Sequence, residues 1–281
     1  MNREDNKIVT NNSIKIKGNI LDLSEPKVMG VLNINDNSFY KGSRILTSNN
    51  LLSKVEQYLV EGAAIIDIGA VSTRPNADLE NTKVEMRRLL PAIHDVRKHF
   101  PDVIISVDTF RSDVANAAVI EGADIVNDVY GGRFDDEMFN VVAQLDVPYI
   151  LMHSRGFSKD MTRKTGYDGV AKQVVKELSY SLKRLHNLGV KDIIIDPGFG
   201  FAKTLKENHE LLKDLEMLHV LGCPFLAGIS RKSMIYKKLK IKPEDSLNGT
   251  TVLNTLAVLK GAKILRVHDV KQAVEVINLL K

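Results

Sequence analysis

Short runs of apolar and β-branched residues alternate along the chain with longer amphipathic segments. The runs have the length of buried strands, and they lie at Val28–Asn33, Ala64–Gly69, Val103–Asp108, Asp124–Asn127, Tyr149–His153, Asp192–Asp196, Pro224–Ile229 and Lys263–His268. The segments between and after them carry apolar residues at helical spacing, at Leu51–Glu61, Val84–His99, Asp113–Glu121, Asp136–Leu145, Val170–Leu188, Asn208–Leu218, Gly249–Leu259 and Val270–Leu280. The alternation predicts parallel strands, each followed by a helix.

Glycines mark the ends of many predicted helices, at Gly62, Gly122, Gly189, Gly222 and Gly261. A glycine in this position is typical of a helix end, where the backbone turns into the left-handed region. Eight such units with short loops favour an α/β fold, the (β/α)8 TIM barrel. A doubly wound open sheet is the alternative, and the lack of a GxGxxG turn after the first run disfavours it.

Residues 13–23 alternate apolar and polar around a Lys-Gly-Asn turn, which predicts a short N-terminal β-hairpin that could plug the bottom of the barrel. The predicted organisation is a tail and hairpin over residues 1–24 and a single barrel domain over residues 25–281.

Composition narrows the class of protein. The 281 residues are 44% hydrophobic and 26% charged, which suits one large folded core. The net charge is +4, and its only dense basic stretch, residues 235–242, is interpreted as a solvated loop or helix face, so no nucleic-acid partner is expected. The first residues lack the apolar core of a signal peptide, and no run is long enough to span a membrane. Cys223 is the single cysteine, which excludes an internal disulfide, and the expected location is cytoplasmic.

Nearly every predicted strand ends in polar or reactive residues. They are Asn33, Asp108, Asn127, His153, Asp196, the run Ser230–Ser233 and the run Arg266–Asp269. Each one alone is more simply explained as a helix cap or a turn residue. A closed barrel, however, gathers all strand ends into one mouth, where the active sites of such barrels lie. The collection therefore predicts a binding site.

Cations cluster on the last two strands. A guanidinium, an imidazole and an ammonium, from Arg266, His268 and Lys232, suit the oxygens of a phosphate or diphosphate. Asp269 is interpreted as the N-cap of the last helix, with Gln272 completing a pattern like a capping box.

Hydrogen-bond acceptors lie on the third, fourth and sixth predicted strands. Asp108, Asn127 and Asp196 suit a ligand rich in N–H donors, such as an aminopyrimidinone. The glycine-rich segment Gly198–Thr204 lacks the spacing of a P-loop and is interpreted as a mobile loop over the mouth.

With these residues assembled, the sequence resembles the dihydropteroate synthases, a family of pterin-binding enzymes, from about Val28 to Leu280. The matching phrases are Val28–Asn33, Ile66–Gly69, Ser72–Pro75, Ser106–Thr109, Ile125–Asp128, Leu151–His153, Asp196–Phe201 with Lys203-Thr204, Ser230–Ser233 and Arg266–Asp269. The resemblance implies a transferase of folate biosynthesis. It would condense 6-hydroxymethyl-7,8-dihydropterin diphosphate with 4-aminobenzoate to give 7,8-dihydropteroate and diphosphate. The resemblance also implies a homodimer.

The resemblance further implies roles for individual residues. Catalytic roles would fall to Lys232, Arg266 and His268. The pterin would be held by Asp108, Asn127, Met152, Asp196, Phe201 and Lys232. The diphosphate would be held by Asn33, Arg266 and His268, with Mg2+ as the cofactor bound through Asn33. The 4-aminobenzoate would be framed by Phe39, Thr73, Arg74, Pro75, Lys232 and Ser233.

The first loop departs from the family pattern. Asn35 and Asp36 replace Thr-Pro, Asn37 and Lys41 replace two aspartates, and Val71, which follows the second strand, replaces a glutamate. This loop favours one alternative, a catalytically weak or non-catalytic pterin-binding paralogue.

A pterin-dependent methyltransferase-like barrel is a second alternative, although such an enzyme needs no diphosphate or aminobenzoate pocket. A phosphosugar aldolase or isomerase is the third, and it would require a Schiff-base lysine or a catalytic glutamate on a strand, which the sequence does not offer.

Overall fold

The computed structural model describes residues 12–34, 48–71, 81–157 and 164–281. Within these ranges the strands are β1 (Ser13–Ile16), β2 (Asn19–Asp22), β3 (Lys27–Asn33), β4 (Ile65–Gly69), β5 (Ile104–Asp108), β6 (Ile125–Asp128), β7 (Tyr149–Met152), β8 (Ile193–Asp196), β9 (Leu226–Ala227) and β10 (Ile264–Val267). The helices are α1 (Ser48–Val60), α2 (Thr82–His99), α3 (Ser112–Glu121), α4 (Met138–Leu145), α5 (Val170–Asn187), α6 (Leu205–Lys213), α7 (Ser233–Leu239), α8 (Leu247–Leu259) and α9 (Val270–Leu279).

Strands β3 to β10 form one parallel sheet of eight strands in the order β8-β7-β6-β5-β4-β3-β10-β9. A parallel bridge between Ile195 and Phe225 joins its two edges, and the Ile195 amide donates to the Pro224 carbonyl over 2.9 Å. The predicted (β/α)8 TIM barrel is therefore confirmed. Strand β9 keeps only two residues of its predicted run, because the chain already turns at Ile229, whose carbonyl accepts from the Lys232 amide over 3.1 Å.

The five glycines predicted to end helices all have positive φ, at Gly62 (97°), Gly122 (125°), Gly189 (87°), Gly222 (68°) and Gly261 (94°). In the described part of the chain, no helix is long and apolar enough to cross a membrane.

The sixth helix departs from its predicted bounds, Asn208–Leu218. A capping box between Thr204 and Glu207 starts α6 early, and a 3-10 turn at Leu215–Leu221 replaces its predicted end. The basic stretch after β9 lies largely in a helix, α7, which buries Met234 and Ile235 and exposes Lys237 and Lys238, in agreement with the solvated helix face that was one of the two predicted possibilities.

The hairpin of β1 and β2 closes the bottom of the barrel, as its sequence pattern predicts. Ile14, Ile16 and Leu23 are buried in a cluster with the first inward residues of the strands, among them Ile65 and Ile125. Polar contacts fix it there, because the Lys15 amide donates to Asp192 over 2.8 Å and the Lys17 ammonium lies 2.5 Å from Asp124. With this end filled, the carboxyl ends of the strands form the mouth at the opposite end.

Candidate active site

A buried carboxylate lies just below the mouth, two residues before the end of β4. Asp67 on β4 has no exposed surface, and it accepts a hydrogen bond of 2.6 Å from the Ser106 hydroxyl. The Asn127 side-chain amide nitrogen lies 3.2 Å from each carboxylate oxygen, and Arg266 Nε donates to Oδ2 over 2.7 Å. Donors from β5, β6 and β10 thus meet on one side chain. Asp67 is the one charged residue of a strand that is otherwise apolar, and no role was predicted for it from the sequence.

Arg266 links the two predicted subsites. Its Nη2 donates to Asp108 Oδ2 over 2.7 Å, while its Nε binds Asp67. Burial alone would lower the pKa of Arg266, but the charges of Asp67 and Asp108 raise it above the ordinary value. The guanidinium predicted for diphosphate therefore lies directly against a carboxylate predicted for the pterin.

The position of Asp108 alters its ionisation. Burial raises the pKa of Asp108 to about 7, against a lowering by Arg266. The negative charges of Asp67, Glu85 and Asp128 contribute to this rise. Protonation of Asp108 therefore changes near neutral pH, in the range where the site would operate.

This shift predicts a pH-dependent stability. Because the pKa of Asp108 is higher in the folded than in the unfolded chain, the ionised form disfavours folding. The free energy of unfolding of the unaltered protein should fall, relative to that of Asp108→Asn, as the pH rises from 3.8 to about 7. Above about pH 7, the difference between the free energies of unfolding of the two proteins should no longer change. Urea denaturation of both proteins across this range measures it, and parallel pH profiles would show that Asp108 titrates normally.

Asp196 and Lys232 form the opposite wall. Asp196 is buried at the end of β8, where it accepts the Gly198 amide over 2.7 Å. Lys232 donates to the Phe199 carbonyl over 2.6 Å, and its ammonium lies 5.0 Å from the centroid of the Phe201 ring. Burial lowers the pKa of Lys232 to about 8, opposed by the charge of Asp196. Burial likewise raises the pKa of Asp196, opposed by Lys232.

Hydrogen bonds hold the glycine-rich loop, Gly198–Thr204, against the barrel beneath it. The buried Lys203 ammonium donates to the carbonyls of Gly198 (2.9 Å) and Phe201 (3.1 Å), and it lies 3.0 Å from His153 Nδ1. Burial lowers the pKa of Lys203 to about 7. The Gly200 amide also donates to the Asn208 side chain over 2.6 Å. The prediction of a mobile loop took no account of these contacts, which tie the loop to strand β7 and helix α6.

His268 approaches the mouth from the end of β10. Its Nδ1 lies 3.1 Å from the Ser230 hydroxyl, and its carbonyl accepts from the Tyr58 hydroxyl over 3.0 Å. Burial lowers the pKa of His268 to about 4, and the charge of Arg266 lowers it too. The imidazole is therefore neutral at neutral pH and can donate a hydrogen bond without carrying a charge.

The prediction that the Asp269 side chain caps the last helix is wrong. Asp269 precedes α9, but its side chain makes no capping hydrogen bond and no capping box forms with Gln272. Its two carboxylate oxygens instead accept from Arg231 over 2.8 and 2.9 Å. A bidentate pair with a guanidinium is stronger than a cap to a backbone amide, which explains the preference.

The other predicted site residues divide into two groups. Met152 is buried in an apolar cluster beside the mouth, against which Phe201 packs. Asn33 ends β3 and is partly buried, and Ser233 is the first residue of α7, next to Lys232. Outside the described residues lie Phe39, Thr73, Arg74 and Pro75, together with Asn35, Asp36, Asn37 and Lys41.

Similarity to known proteins identifies the family to which this barrel belongs. Residues 29–268 match the profile of the pterin binding enzyme family, and the chain belongs to that family. A dihydropteroate synthase of Streptococcus pyogenes is 38% identical over 257 residues, which cover 90% of this chain and 94% of the relative. A folic acid synthesis protein of Pneumocystis carinii is 41% identical over 251 residues. The match covers 86% of this chain but only 34% of that longer protein.

Solved structures agree with this membership. The Yersinia pestis dihydropteroate synthase with a sulfonamide drug has a TM-score of 0.91 and 34% identity, covering 95% of this chain and 98% of that one. The Xanthomonas albilineans dihydropteroate synthase with 4-aminobenzoic acid has a TM-score of 0.88 and 36% identity, covering 96% and 97%.

Proposed function

We propose that the protein is a dihydropteroate synthase, a transferase that joins 6-hydroxymethyl-7,8-dihydropterin diphosphate to 4-aminobenzoate in folate biosynthesis. The observation that carries the proposal is the contact between Arg266 and Asp108 at 2.7 Å. It places a cation suited to diphosphate beside an acceptor suited to a pterin. A methyltransferase would have no use for this pairing, since it releases no diphosphate.

The pterin would lie between the two walls of the mouth. Asp108, Asn127 and Asp196 offer acceptors to its N–H groups, and Lys232 offers a donor to its carbonyl oxygen. Met152 and Phe201 would flank the ring on its apolar faces. Both carboxylates have raised pKa values through burial, which a ligand with matching donors would reverse.

The diphosphate would be held by Asn33, Arg266 and His268. Mg2+ fits this end of the site, because the side-chain oxygen of Asn33 is a hard ligand of the kind that this ion prefers. No group of three His, Cys, Asp or Glu side chains able to hold a metal occurs among the described residues. Together with the diphosphate, Asn33 would hold the ion, which would supply charge neutralisation of the leaving group.

The reaction needs charge stabilisation more than proton transfer. The aniline nitrogen of 4-aminobenzoate attacks the pterin methylene, and the C–O bond breaks with its electron pair leaving on diphosphate. Arg266 and the neutral His268 donate to that departing anion, and each preorganised donor contributes about 3 kcal/mol. The nitrogen then loses a proton to solvent. Phe39, Thr73, Arg74, Pro75 and Ser233 would frame the aminobenzoate.

Ordered binding follows from this arrangement. If the diphosphate completes the aminobenzoate site, 4-aminobenzoate should bind at least about tenfold more tightly in the presence of pterin and diphosphate, and the coupling should be reciprocal. Calorimetric titrations of 4-aminobenzoate with and without the other two ligands measure this. Equal affinities in the two titrations would refute the ordered scheme.

The proposed assembly is a cytoplasmic homodimer with one barrel domain over residues 25–281. Its support is the apolar surface of α8, where Val252, Leu256 and Leu259 are 52%, 41% and 66% exposed. A patch of this kind is usually covered by a partner.

The function itself is tested by diphosphate release in the presence of Mg2+, which should require both organic substrates together. Diphosphate release at the same rate with and without 4-aminobenzoate would mean that the protein is a hydrolase.

A further inference from the structure

Asp67 is a buried charge that no substrate role explains. It lies one layer below the mouth, on β4, with no exposed surface. Its partners are the Ser106 hydroxyl at 2.6 Å, the Asn127 amide nitrogen at 3.2 Å and Arg266 Nε at 2.7 Å. A buried carboxylate costs free energy unless such donors satisfy it. Two of the three donors belong to residues that would contact substrates directly.

These contacts determine what Asn127 and Arg266 can offer to a ligand. Because Asp67 accepts from the Asn127 nitrogen, the amide oxygen of Asn127 remains as its group for a ligand, which is an acceptor. Arg266 donates from Nε to Asp67 and from Nη2 to Asp108, so Nη1 remains as the donor for an anion. Without the carboxylate of Asp67, the amide could reverse and the guanidinium could rotate.

We propose that Asp67 is a positioning residue for the condensation, which fixes Asn127 as an acceptor for the pterin and Arg266 as a donor for the diphosphate. The inference rests on the proposed function for the identity of these two ligands. Asp67 itself touches neither one and acts through the two side chains.

The test is Asp67→Asn, which keeps the volume and removes the charge. Calorimetric titration with 6-hydroxymethyl-7,8-dihydropterin, and separately with inorganic diphosphate and Mg2+, gives the affinity and the stoichiometry independently. We expect the Kd of each ligand to rise by about tenfold or more, since hydrogen bonds to charged groups are involved, with the stoichiometry unchanged. A merely structural role would lower the stoichiometry through unfolding and leave Kd unaltered, and that outcome would overturn the proposal.

Two control variants separate position from charge and from general destabilisation. Asp124→Asn neutralises another buried carboxylate, which accepts from the Ile105 amide over 2.7 Å and pairs with Arg97 at the far end of the barrel. It should leave both Kd values unchanged. Glu85→Gln removes a charge near Asp108 at a residue that accepts from the Thr109 hydroxyl over 2.6 Å and pairs with Arg111.

The pH profile supplies the second readout. The groups facing Asp108 are Arg266, Asp67, Glu85 and Asp128. Both Asp67→Asn and Glu85→Gln should move the acid limb of pterin binding to lower pH, because each removes a negative charge that raises the pKa of Asp108. Only Asp67→Asn should also weaken diphosphate binding above that limb. Equal weakening by Glu85→Gln would mean that charge, not position, is responsible. If the unaltered protein bound neither ligand, the proposed function would fail together with this inference.

Discussion

Asp196→Ala should weaken binding of 6-hydroxymethyl-7,8-dihydropterin by about 100-fold or more. The carboxylate is buried opposite Lys232, where it would accept from two N–H groups of the ring, and each hydrogen bond to a charged group contributes about 1.5–3 kcal/mol. Asp108→Ala removes the acceptor on the other wall and should have a smaller effect, because Asp108 is half protonated at about pH 7. Isothermal titration calorimetry measures both affinities.

The matched control for Asp196 lies four residues earlier in the chain, just before the same strand. Asp192→Ala removes the carboxylate that accepts the Lys15 amide at the bottom of the barrel, so pterin affinity should not change. Thermal melting of each variant reveals any loss of folded protein. Near-normal pterin affinity in both Asp108→Ala and Asp196→Ala would mean that the ring binds elsewhere.

Arg266→Met should destabilise the protein by about 3–5 kcal/mol at neutral pH, since it leaves one buried and one partly buried carboxylate without their counter-charge. These are Asp67, with no exposed surface, and Asp108. The loss should shrink at about pH 5, because Asp108 can then bind a proton, and protonation removes part of the repulsion. Urea denaturation at the two pH values measures the change.

Arg266→Lys provides the comparison. A lysine restores the charge but not the planar fork that reaches Asp67 and Asp108 at once. We expect it to recover much of the stability while diphosphate binding stays weak. A loss below about 1 kcal/mol in Arg266→Met would contradict the view that this pair of carboxylates depends on the guanidinium.

The strand ends could be predicted because a parallel barrel leaves little freedom. Nearly every buried run has a polar carboxyl end, as at Asp108 and Asp196, and closure of the sheet directs these ends to one mouth. The hairpin was predictable for a similar reason, since its alternation leaves Ile14 and Ile16 on one face. What the pattern did not supply was the pairing across strands. Nothing local to Arg266 indicates that it binds a carboxylate on β4.

The roles of residues that act through tertiary contacts could not be predicted from the sequence. Asp67 stands in an apolar run with no polar neighbour within two positions, so its role depends on the neighbouring strand. Lys203 follows a glycine-rich loop, where a solvated side chain is the ordinary expectation, yet it turns inward to the carbonyls of Gly198 and Phe201. Asp269 occupies an N-cap position, but Arg231 attracts its side chain more strongly than the helix does. In each case a distant group outweighs the local preference.

In the proposed function, the acceptors and cations of this mouth together perform a condensation. The most direct measurement is mass spectrometry of a mixture of the purified protein, the pterin diphosphate, 4-aminobenzoate and Mg2+. The account predicts a product with the mass of 7,8-dihydropteroate, formed catalytically by the unaltered protein and lost in Asp196→Ala. Tight binding of both substrates with no dihydropteroate would contradict it and identify a non-catalytic pterin-binding protein.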